Sequence, residues 1–508
     1  MSPGQKFFLH TISRPITLLF FIAQIAIGQN LYKSYDVSIG NNFLRNSDVK
    51  AKQFDFTYFI EDFHPDSLLQ CAIFTLKESD ENYFFNNDYV VDLNFQSGQV
   101  NWTKRKGDFD VTVSSDYVVF SKEKKSICYK KVTGSKIWEF ENRIRFTDYK
   151  TNTGYNKFPR AFDLNSGKKK WERRIDDKFS WNEIKHLDDS TILLECSGLH
   201  LINLNNGNGW DYTLTTGMDY STPNSLVRIG AGLGFGAIGV MIASYSGRPD
   251  FVNGICSNIL QEDSLIYFAS ADSIISINYS GKINWTSPIP KDKTSSSVLI
   301  NWNDDLLLLN TGYALSEGSR VKYGKMFLSL INKQTGERKY LQEFRDNDYA
   351  NDYLIDKDIL FILEGNSIYK YDILTGTSIA SINIDWQEYG HSAAFIDHAL
   401  LYFDTDSSHS KFTNGDEGTL YIQNKKGNLL EIDKNLKSIQ YVEQNRFYKY
   451  SCEKGFLRCI SNASEIIVIN NSGEKIAELK LNNPQIIGNE IVNVRSMELT
   501  ILDLDELK

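Results

Sequence analysis

The sequence lacks the short motifs of several common enzyme classes. Its six cysteines, at positions 71, 128, 196, 256, 452 and 459, include no C-x-x-C pair and no cysteine–histidine cluster of the kind that binds zinc. Neither G-x-S-x-G nor G-x-x-x-x-G-K-[ST] occurs, which argues against a serine-hydrolase elbow and a Walker phosphate loop. We therefore expect no zinc site, no nucleophilic serine of that type and no P-loop.

The chain also lacks a basic excess. Its 55 Lys and Arg are outnumbered by 64 Asp and Glu, so the net charge is −9 and nothing favours nucleic-acid binding. Proline is scarce at nine residues, whereas Phe and Tyr are abundant at 31 and 27, and such aromatic residues fit pleated, half-buried strands. The composition indicates a soluble β-rich protein with enough residues for a large core.

No cluster of metal ligands stands out. The nearest histidines, His391 and His398, are seven residues apart, a spacing that suits neither a helical nor a strand pair. The acidic stretch 404–417 resembles a calcium loop only loosely, and the aspartates of 346–358 are interpreted as solvated turns. We expect no metal site, no cofactor site and no catalytic residues.

Cysteine pairing is left open at one place. Cys452 and Cys459 flank a short segment, EKGFLR, that could form a turn, so either a disulfide or two free thiols fits the sequence. The other four cysteines lie in apolar contexts and are interpreted as small buried hydrophobic residues.

Residues 1–28 have the organisation of a cleavable signal peptide. A positive start, an apolar run and small residues at the cleavage position follow one another: Lys6, His10 and Arg14, then Ile16–Ile27, then Ala26 and Gly28. An uncleaved membrane anchor is the alternative, but the apolar run is shorter than the roughly 20 residues that span a bilayer. We expect an exported protein that is periplasmic or secreted, and a membrane-associated location is the alternative.

One phrase recurs along the chain. An apolar strand ends in Asp or Asn, a polar turn carries Gly, and an aromatic residue follows four residues after the Gly, or three in one copy. Five copies end in Trp: Gly98 with Trp102, Gly134 with Trp138, Gly167 with Trp171, Gly207 with Trp210, and Gly281 with Trp285. Later copies centre on Gly336, which Tyr340 follows, and on Gly376 and Gly473, where Ala380 and Ala477 stand in the aromatic position. A weaker copy surrounds Gly427.

Each phrase reads as a β-hairpin in which Gly supplies a positive φ and the Asx side chain binds turn amides. Except for one gap of 74 residues, successive glycines are separated by 33 to 55 residues. That spacing is the length of a four-stranded propeller blade. The pattern predicts an all-β fold, a single β-propeller of about eight four-stranded blades over residues 30–508. We expect the first and last segments to share a blade and close the ring.

The 74-residue gap, between Gly207 and Gly281, exceeds a blade by roughly 30 residues. We place an apolar, glycine-rich insertion at 216–255, between two blades. Its run 229–245 has no charged residue and contains GFGAIG, which matches the dinucleotide-binding pattern. Because hairpin repeats rather than a βαβ unit flank that match, we interpret it as accidental.

Two roles for the insertion stay open. Phe235, Ile238 and Met241 would contact a protein partner if the insertion is exposed, since exposed apolar patches mark interfaces. Alternatively the insertion packs into the central channel or over a blade and only stabilises the fold. Peripheral membrane contact through 229–245 is a further alternative. A membrane-spanning helix is disfavoured there because the five glycines lower helix propensity.

The phrase Asp/Asn-x-x-x-Gly-x-x-x-Trp resembles the repeat of the quinoprotein-like (PQQ-type) β-propeller family, over roughly residues 85–480. By this resemblance the fold is WD40-like, and the family includes PQQ-dependent dehydrogenases and non-catalytic members such as the propeller subunit of the bacterial β-barrel assembly machine. The resemblance implies, for the enzymes, an adjacent Cys-Cys pair and a Glu/Asn/Asp calcium set with an Asp base. No two cysteines are adjacent here, and no cysteine follows the signal run as a lipid-attachment site.

These observations favour an exported, non-catalytic β-propeller that binds a protein partner or an envelope component, needs no cofactor and acts as a monomer. The alternative is a PQQ-dependent quinoprotein dehydrogenase-like enzyme.

Overall fold

The computed structural model describes most of the chain after residue 30. The described ranges are 31–66, 70–78, 88–95, 97–149, 151–156, 159–176, 183–217, 254–291, 293–316, 319–344, 349–365, 367–385, 394–404, 412–424, 428–442, 446–449, 458–461, 465–482 and 484–507.

Eight separate four-stranded antiparallel sheets, here named blades 1 to 8, follow one another along the chain. Blades 1 to 4 consist of β3 Phe59–Pro65, β4 Cys71–Lys77, β5 Tyr89–Asn94, β6 Gln99–Arg105; β7 Asp110–Val113, β8 Tyr117–Lys122, β9 Lys125–Lys130, β10 Lys136–Phe140; β11 Phe146–Asp148, β12 Thr153–Tyr155, β13 Arg160–Asp163, β14 Lys169–Glu172; and β15 Glu183–His186, β16 Thr191–Cys196, β17 Gly198–Asn203, β18 Asp211–Thr213.

Blades 5 to 8 repeat this plan with one interruption in the last. They consist of β19 Leu260–Glu262, β20 Leu265–Ala269, β21 Ser273–Asn278, β22 Ile283–Pro288; β23 Ser297–Trp302, β24 Asp305–Ser316, β25 Ser319–Asn332, β26 Arg338–Glu343; β27 Ala350–Asp356, β28 Ile359–Glu364, β29 Ser367–Asp372, β30 Ser378–Asn383; and β31 Ala394–Ile396, β34 Thr419–Gln423, β35 Leu429–Asp433, β36 Ile439–Tyr441.

The remaining strands form one eleven-stranded sheet, named the closing sheet. Its strands are β1 Tyr32–Asn42, β2 Ser47–Phe56, β32 Leu401–Asp404, β33 Phe412–Asn414, β37 Arg446–Lys449, β38 Arg458–Ser461, β39 Ile466–Ile469, β40 Lys475–Leu479, β41 Gln485–Ile487, β42 Glu490–Arg495 and β43 Glu498–Asp503. Their order is β33-β32-β37-β38-β39-β40-β1-β2-β43-β42-β41. Two runs of it, β37 to β40 and β41 to β43 with β2, have the strand order of a blade.

The ring closes through this sheet. Strand β2, near the start of the chain, pairs with β43, near its end, over Lys52–Asp55, and β1 pairs with β40 over Gly40–Asn42. The Tyr32 hydroxyl of β1 then donates to the carbonyl of Gly98 in blade 1. The pairing agrees with the expected sharing of a blade by the two chain segments, and it leaves a closed all-β propeller.

The first strand of each blade lies nearest the axis. First strands of successive blades contact each other, as β7 with β11, β19 with β23 and β27 with β31. Since strands alternate in direction, hairpins between strands one and two and between strands three and four reach one face, named the Gly–Trp face. Hairpins between strands two and three, and the connections between blades, reach the other, named the link face.

Aromatic rings join each blade to the next. The Trp of the fourth strand lies on the turn glycine of the following blade, and its indole N–H donates to a carbonyl there. The donor–acceptor distances are 2.5 Å for Trp102 to Lys131, 2.7 Å for Trp138 to Leu164, 2.8 Å for Trp171 to Leu204, 2.9 Å for Trp210 to Tyr279 and 2.8 Å for Trp285 to Lys333. Tyr340 continues the series by donating to the Ile373 carbonyl at 2.7 Å.

The turn geometry explains why glycine stands under each ring. Gly167 has φ +69°, and a methyl group on it would lie 2.8 Å from Cγ of Trp138. Asp163 begins the turn and accepts a hydrogen bond from the Asn165 amide at 3.1 Å. Beside the turn, a bulge shifts the pairing between Ala161–Trp171 and Phe162–Lys169, and it turns the Trp toward its neighbour. Blades 1, 2, 5, 6 and 7 have a similar bulge.

At the junction of blades 7 and 8, the small and the large residue of the ring–glycine contact are exchanged. Ala380 stands where blade 7 would carry its Trp, and Leu436, with φ +58°, stands where blade 8 would carry its Gly. Leu436 is 6% exposed and belongs to a core cluster against which Ala380 packs. A large residue in the turn thus fills the volume that a ring on the preceding blade occupies elsewhere.

This corrects the alignment of the weakest repeat copy. The copy centred on Gly427 falls between β34 and β35, the second and third strands of blade 8, whereas the stronger copies precede a fourth strand. Gly427 itself lies outside the described residues. The corresponding hairpin is Asp433–Ser438, closed by hydrogen bonds at 3.2 Å and 2.7 Å. This hairpin does not match the recurring phrase because Leu436 replaces the turn glycine.

The exchange at this junction predicts a rescue. Ala380→Trp should lower the free energy of unfolding by about 2–3 kcal/mol, because the ring would overlap Leu436. Leu436→Gly should cost about 2–4 kcal/mol through the lost side chain. The double variant should be at least about 1 kcal/mol more stable than the sum of the two effects, measured by urea unfolding. Strict additivity would show that the two positions do not share this volume.

Candidate interaction site

The predicted insertion falls mainly outside the described residues. Residues 218–253, with the candidate contacts Phe235, Ile238 and Met241, are not described, so their roles stay predictions. The structure does define both ends of this segment, Gly217 and Gly254, and what surrounds them. These two ends and the residues around them form the described part of the candidate site.

The two ends lie side by side. The amide of Ile255 donates to the carbonyl of Thr216 at 2.9 Å, and the amide of Ala271 donates to the carbonyl of Thr215 at 2.9 Å. The hydroxyl of Thr216 donates to the Cys196 carbonyl in the β16–β17 turn. The chain therefore leaves and returns at one point of the link face, between blades 4 and 5.

Buried polar residues form the base of this point. Thr216, Cys256 and Ser257 are fully buried, and the Cys256 thiol donates to Oε1 of the buried Glu195 at 2.9 Å. The Ser257 hydroxyl accepts a hydrogen bond from the Ala269 amide at 2.9 Å, and Ser257 forms a parallel β-bridge with Ser297 of blade 6. Because buried polar groups hold their partners tightly, the ends of the insertion are fixed across blades 4, 5 and 6.

A long hairpin of blade 6, formed by β24 and β25, lies beside the two ends of the insertion. Strands β24 and β25 have 12 and 14 residues, whereas the equivalent β16 and β17 of blade 4 have six each. Pairing continues to Ser316 and Ser319, so the hairpin extends beyond its neighbours on the link face. Ile255, at the returning end of the insertion, is buried with Ala314 of this hairpin, and Tyr323 packs against them.

Close backbone contacts hold the base of the hairpin. The Lys325 amide donates to the Lys293 carbonyl at 2.9 Å, and Asn310 donates its side-chain amide to the same carbonyl at 2.8 Å. A methyl group on Gly324, where φ is +66°, would lie 2.5 Å from the carbonyl oxygens of both Lys293 and Thr294. Only glycine fits here, so the hairpin's direction depends on this residue.

Sequence reasoning missed the hairpin. The recurring phrase covers only the turn before the fourth strand, at Gly336, and that turn is unchanged in blade 6. The available signal was the unusual length of the apolar and alternating run from Leu306 to Ile331, interrupted by the polar SEGS.

Gly324→Ala should destabilise the protein by about 3 kcal/mol or more, since it combines a left-handed backbone with a clash against rigid carbonyls. Gly107→Ala is the matched control, because Gly107 has a similar φ of +56° and open space around its Cβ position. That control should cost about 1–2 kcal/mol. Equal costs in chemical unfolding would contradict the close contact at Gly324.

The other residues selected from the sequence do not converge. His398 lies 3.4 Å from the neighbouring Asp397, while His391 is not described. Asp416 caps its own turn by accepting the Gly418 amide at 2.8 Å. Among the described His, Cys, Asp and Glu residues, no group of three could hold a metal ion.

One acidic residue was misjudged. The interpretation of the 346–358 aspartates as solvated turns is wrong for Asp352, which is buried in β27. Its Oδ2 accepts the Phe395 amide of blade 8 at 2.6 Å, and its Oδ1 accepts the Tyr353 amide at 2.8 Å. Asp352 therefore joins two first strands near the axis.

Two of the described cysteines, Cys196 and Cys256, belong to the base of this site. Cys71, Cys128, Cys196 and Cys256 are free thiols. The last three are buried, as their apolar contexts suggested, but the expectation is wrong for Cys71, which is only partly buried at the start of β4. Cys452 is not described, and the side chain of Cys459 is not either, so the disulfide question lies outside the described residues. In the described part of the chain, no helix has the length and apolar character needed to cross a bilayer.

One buried carboxyl has a strongly shifted titration. Asp92 of β5 is 1% exposed, and burial raises its pKa from the usual 3.8 to about 6, against the lowering effects of the Asn101 hydrogen bond and the Lys131 charge. Asn101 donates to Oδ2 at 2.9 Å. Since the folded state binds this proton more tightly than the unfolded chain, stability falls as pH rises from about 4 to 6 and stays lowered above that.

Asp92→Asn should therefore raise the free energy of unfolding by about 2–3 kcal/mol at pH 7.5, since the amide carries no charge to bury and still accepts from Asn101. At pH 4 the gain should disappear because the aspartate is then protonated in the folded state. Guanidinium unfolding at both pH values measures this. A variant that is destabilised equally at both would refute the proposed titration.

The comparisons with known proteins find solved structures only. No protein-family model and no curated protein matches the chain. The chain is similar to BamB from Moraxella catarrhalis, at 13% identity and TM-score 0.32, over 74% of this chain and 97% of that one. It is similar to apo AztD from Citrobacter koseri, at 8% identity and TM-score 0.31, over 82% and 97%.

A third similar structure is the β-propeller domain of Cps50 (Swd1) from Myceliophteria thermophila, at 8% identity and TM-score 0.26, covering 76% of this chain and 95% of that domain. At these values the assignment rests on the strand pairing of this chain. Eight four-stranded blades and a sheet that closes the ring define a β-propeller.

Proposed function

We propose that this protein is an exported, non-catalytic β-propeller with PQQ-like repeats that binds a protein partner or an envelope component through its link face. The observation that carries the proposal is the closeness of the two ends of the insertion to the long hairpin. Gly217 and Gly254, which flank residues 218–253, lie on the same face as the β24–β25 hairpin, and buried Ile255 packs against Ala314 of that hairpin.

The chemistry of the insertion supports binding. Functional residues of rigid scaffolds concentrate in segments that extend from them, and an uncharged run such as 229–245 favours contact with an apolar surface. The fixed ends reduce the freedom that the segment loses on binding, which favours affinity. In this proposal Phe235, Ile238 and Met241 contact the partner and the hairpin lies at the rim of the interface. The protein acts as a monomer.

The kinship with PQQ-type propellers is supported by one geometric feature. The aromatic residue four positions after the turn glycine packs on the next blade's glycine, so the sequence phrase corresponds to a contact between blades. Export is supported by the organisation of residues 1–28, which precede the described residues. We propose periplasmic or secreted location on that ground.

Photo-crosslinking in the native envelope tests the binding role. A photoreactive amino acid at Phe235, Ile238 or Met241 should give one discrete crosslinked product, because the three positions would share an interface. The matched control is Thr375, an exposed turn residue on the Gly–Trp face of blade 7, which should not give that product.

Deletion of 226–245 separates this role from packing. The variant should keep the wild-type urea midpoint and lose the crosslinked partner in a capture through an affinity tag. A fall in the free energy of unfolding of several kcal/mol would instead show that the insertion packs into the propeller and would contradict the proposal.

Titration with PQQ and Ca²⁺ tests the non-catalytic part. The proposal expects no saturable change in the cofactor absorbance and no dye-linked alcohol oxidation. Saturable binding with turnover would establish the enzyme alternative.

A further inference from the structure

The charge of the chain is unevenly distributed around the ring. Residues 104–178, which form blades 2 and 3 with the end of β6, contain 20 Lys and Arg against 11 Asp and Glu, a net charge of +9. The whole chain has −9, so the rest carries −18. A basic sector within an acidic protein creates a local positive potential that attracts acidic partners.

Part of this charge surrounds exposed apolar residues. At the junction of blades 2 and 3 on the Gly–Trp face, Val132 is 71% exposed, Tyr149 45% and Ile137 41%. Lys130, Lys136 and Lys168 lie in or next to the same turns. These six residues are named the rim patch. Together they offer apolar contact area surrounded by ammonium groups, a combination typical of interfaces.

Contacts between the blades hold the patch together. Trp138 of β10 lies on Gly167, which brings β10 beside the turn of Lys168. The Tyr117 hydroxyl of blade 2 donates to Asn165 of that turn at 3.0 Å, and Lys130 stacks over the Tyr117 ring at 4.5 Å. The buried Lys131 lies 5.8 Å from the Tyr149 ring and supports it from below. The surface is thus presented by rigid elements rather than by long loops.

The carboxylates within the patch indicate the kind of partner. Asp116 lies 3.9 Å from Lys130, and Glu139 binds Lys136. A uniformly anionic lipid surface would meet these carboxylates with repulsion, whereas a peptide can place its own charges around them. This arrangement of charges therefore favours a segment of protein with mixed acidic and apolar residues.

We propose that the rim patch is a second interaction surface, which binds an acidic protein segment carrying apolar residues beside its carboxylates. It lies on the Gly–Trp face, opposite the link face, and does not depend on the function proposed for the link face.

The test uses the full mature chain and a labelled peptide, EEELLEEE, in fluorescence anisotropy at low salt. Binding should weaken about tenfold in the triple variant Lys130→Gln, Lys136→Gln, Lys168→Gln, and it should also weaken in Val132→Ser with Ile137→Ser. The matched control changes three exposed lysines outside the sector, Lys282→Gln, Lys437→Gln and Lys480→Gln, with the same loss of charge, and should bind as the wild type does.

Three outcomes would overturn the inference. The first is an equal loss in both triple variants, which would indicate a general charge effect. The second is equal affinity of wild type and rim variants. The third is loss of binding to phosphatidylglycerol vesicles in the rim variant with unchanged peptide affinity, which would make the surface a lipid site. Thermal unfolding checks that each variant is folded, and peptide binding should persist after deletion of 226–245, so the two proposals fail independently.

Discussion

The contact of an aromatic ring with a glycine of the next blade is the interaction on which the rest of this structure depends. Each contact joins two sheets by burying ring surface and by a hydrogen bond from indole or phenol to a backbone carbonyl. Repeated from blade 1 to blade 7, it fixes the angle between neighbouring sheets. Where the ring is missing, at Ala380, the turn residue becomes Leu436 and core volume is kept.

This construction separates the roles of the two faces. The turns on the Gly–Trp face bear the contacts between blades, so their length and their glycines are constrained. Among the described residues, the turns and connections on the link face carry none of these ring–glycine contacts, so extra residues there leave the contacts in place. The ends of the insertion and the long β24–β25 hairpin both lie there, held by Thr216, Ile255 and Gly324. A propeller can therefore gain a binding surface on the link face without loosening its ring.

The fold was largely predictable because the same physical requirement repeats. A glycine that must accept a ring, an Asx that caps its turn and a ring four residues later form a phrase that recurs in sequence. Prediction failed where the requirement was met differently. Leu436 hides one copy, and the long hairpin of blade 6 changes only a turn that the phrase does not include.

The candidate site was predictable only in position. The spacing between Gly207 and Gly281 located an insertion, but neighbouring residues such as Ala314 and Tyr323 come from a blade some 60 to 100 residues further along the chain. Their proximity follows from blade packing, which local sequence does not encode. Asp352 was misjudged for a similar reason, since its partner Phe395 belongs to the following blade.

A double-mutant cycle on one ring–glycine pair tests the central claim most directly. Trp171 lies on Gly207, where a methyl group would be 2.6 Å from the ring. Gly207→Ala should cost several kcal/mol in the wild type but only about 1–2 kcal/mol, the backbone strain at φ +75°, once Trp171→Ala has removed the ring. Urea unfolding of the four proteins gives the coupling energy. A coupling near zero would contradict the account of how the blades are held together.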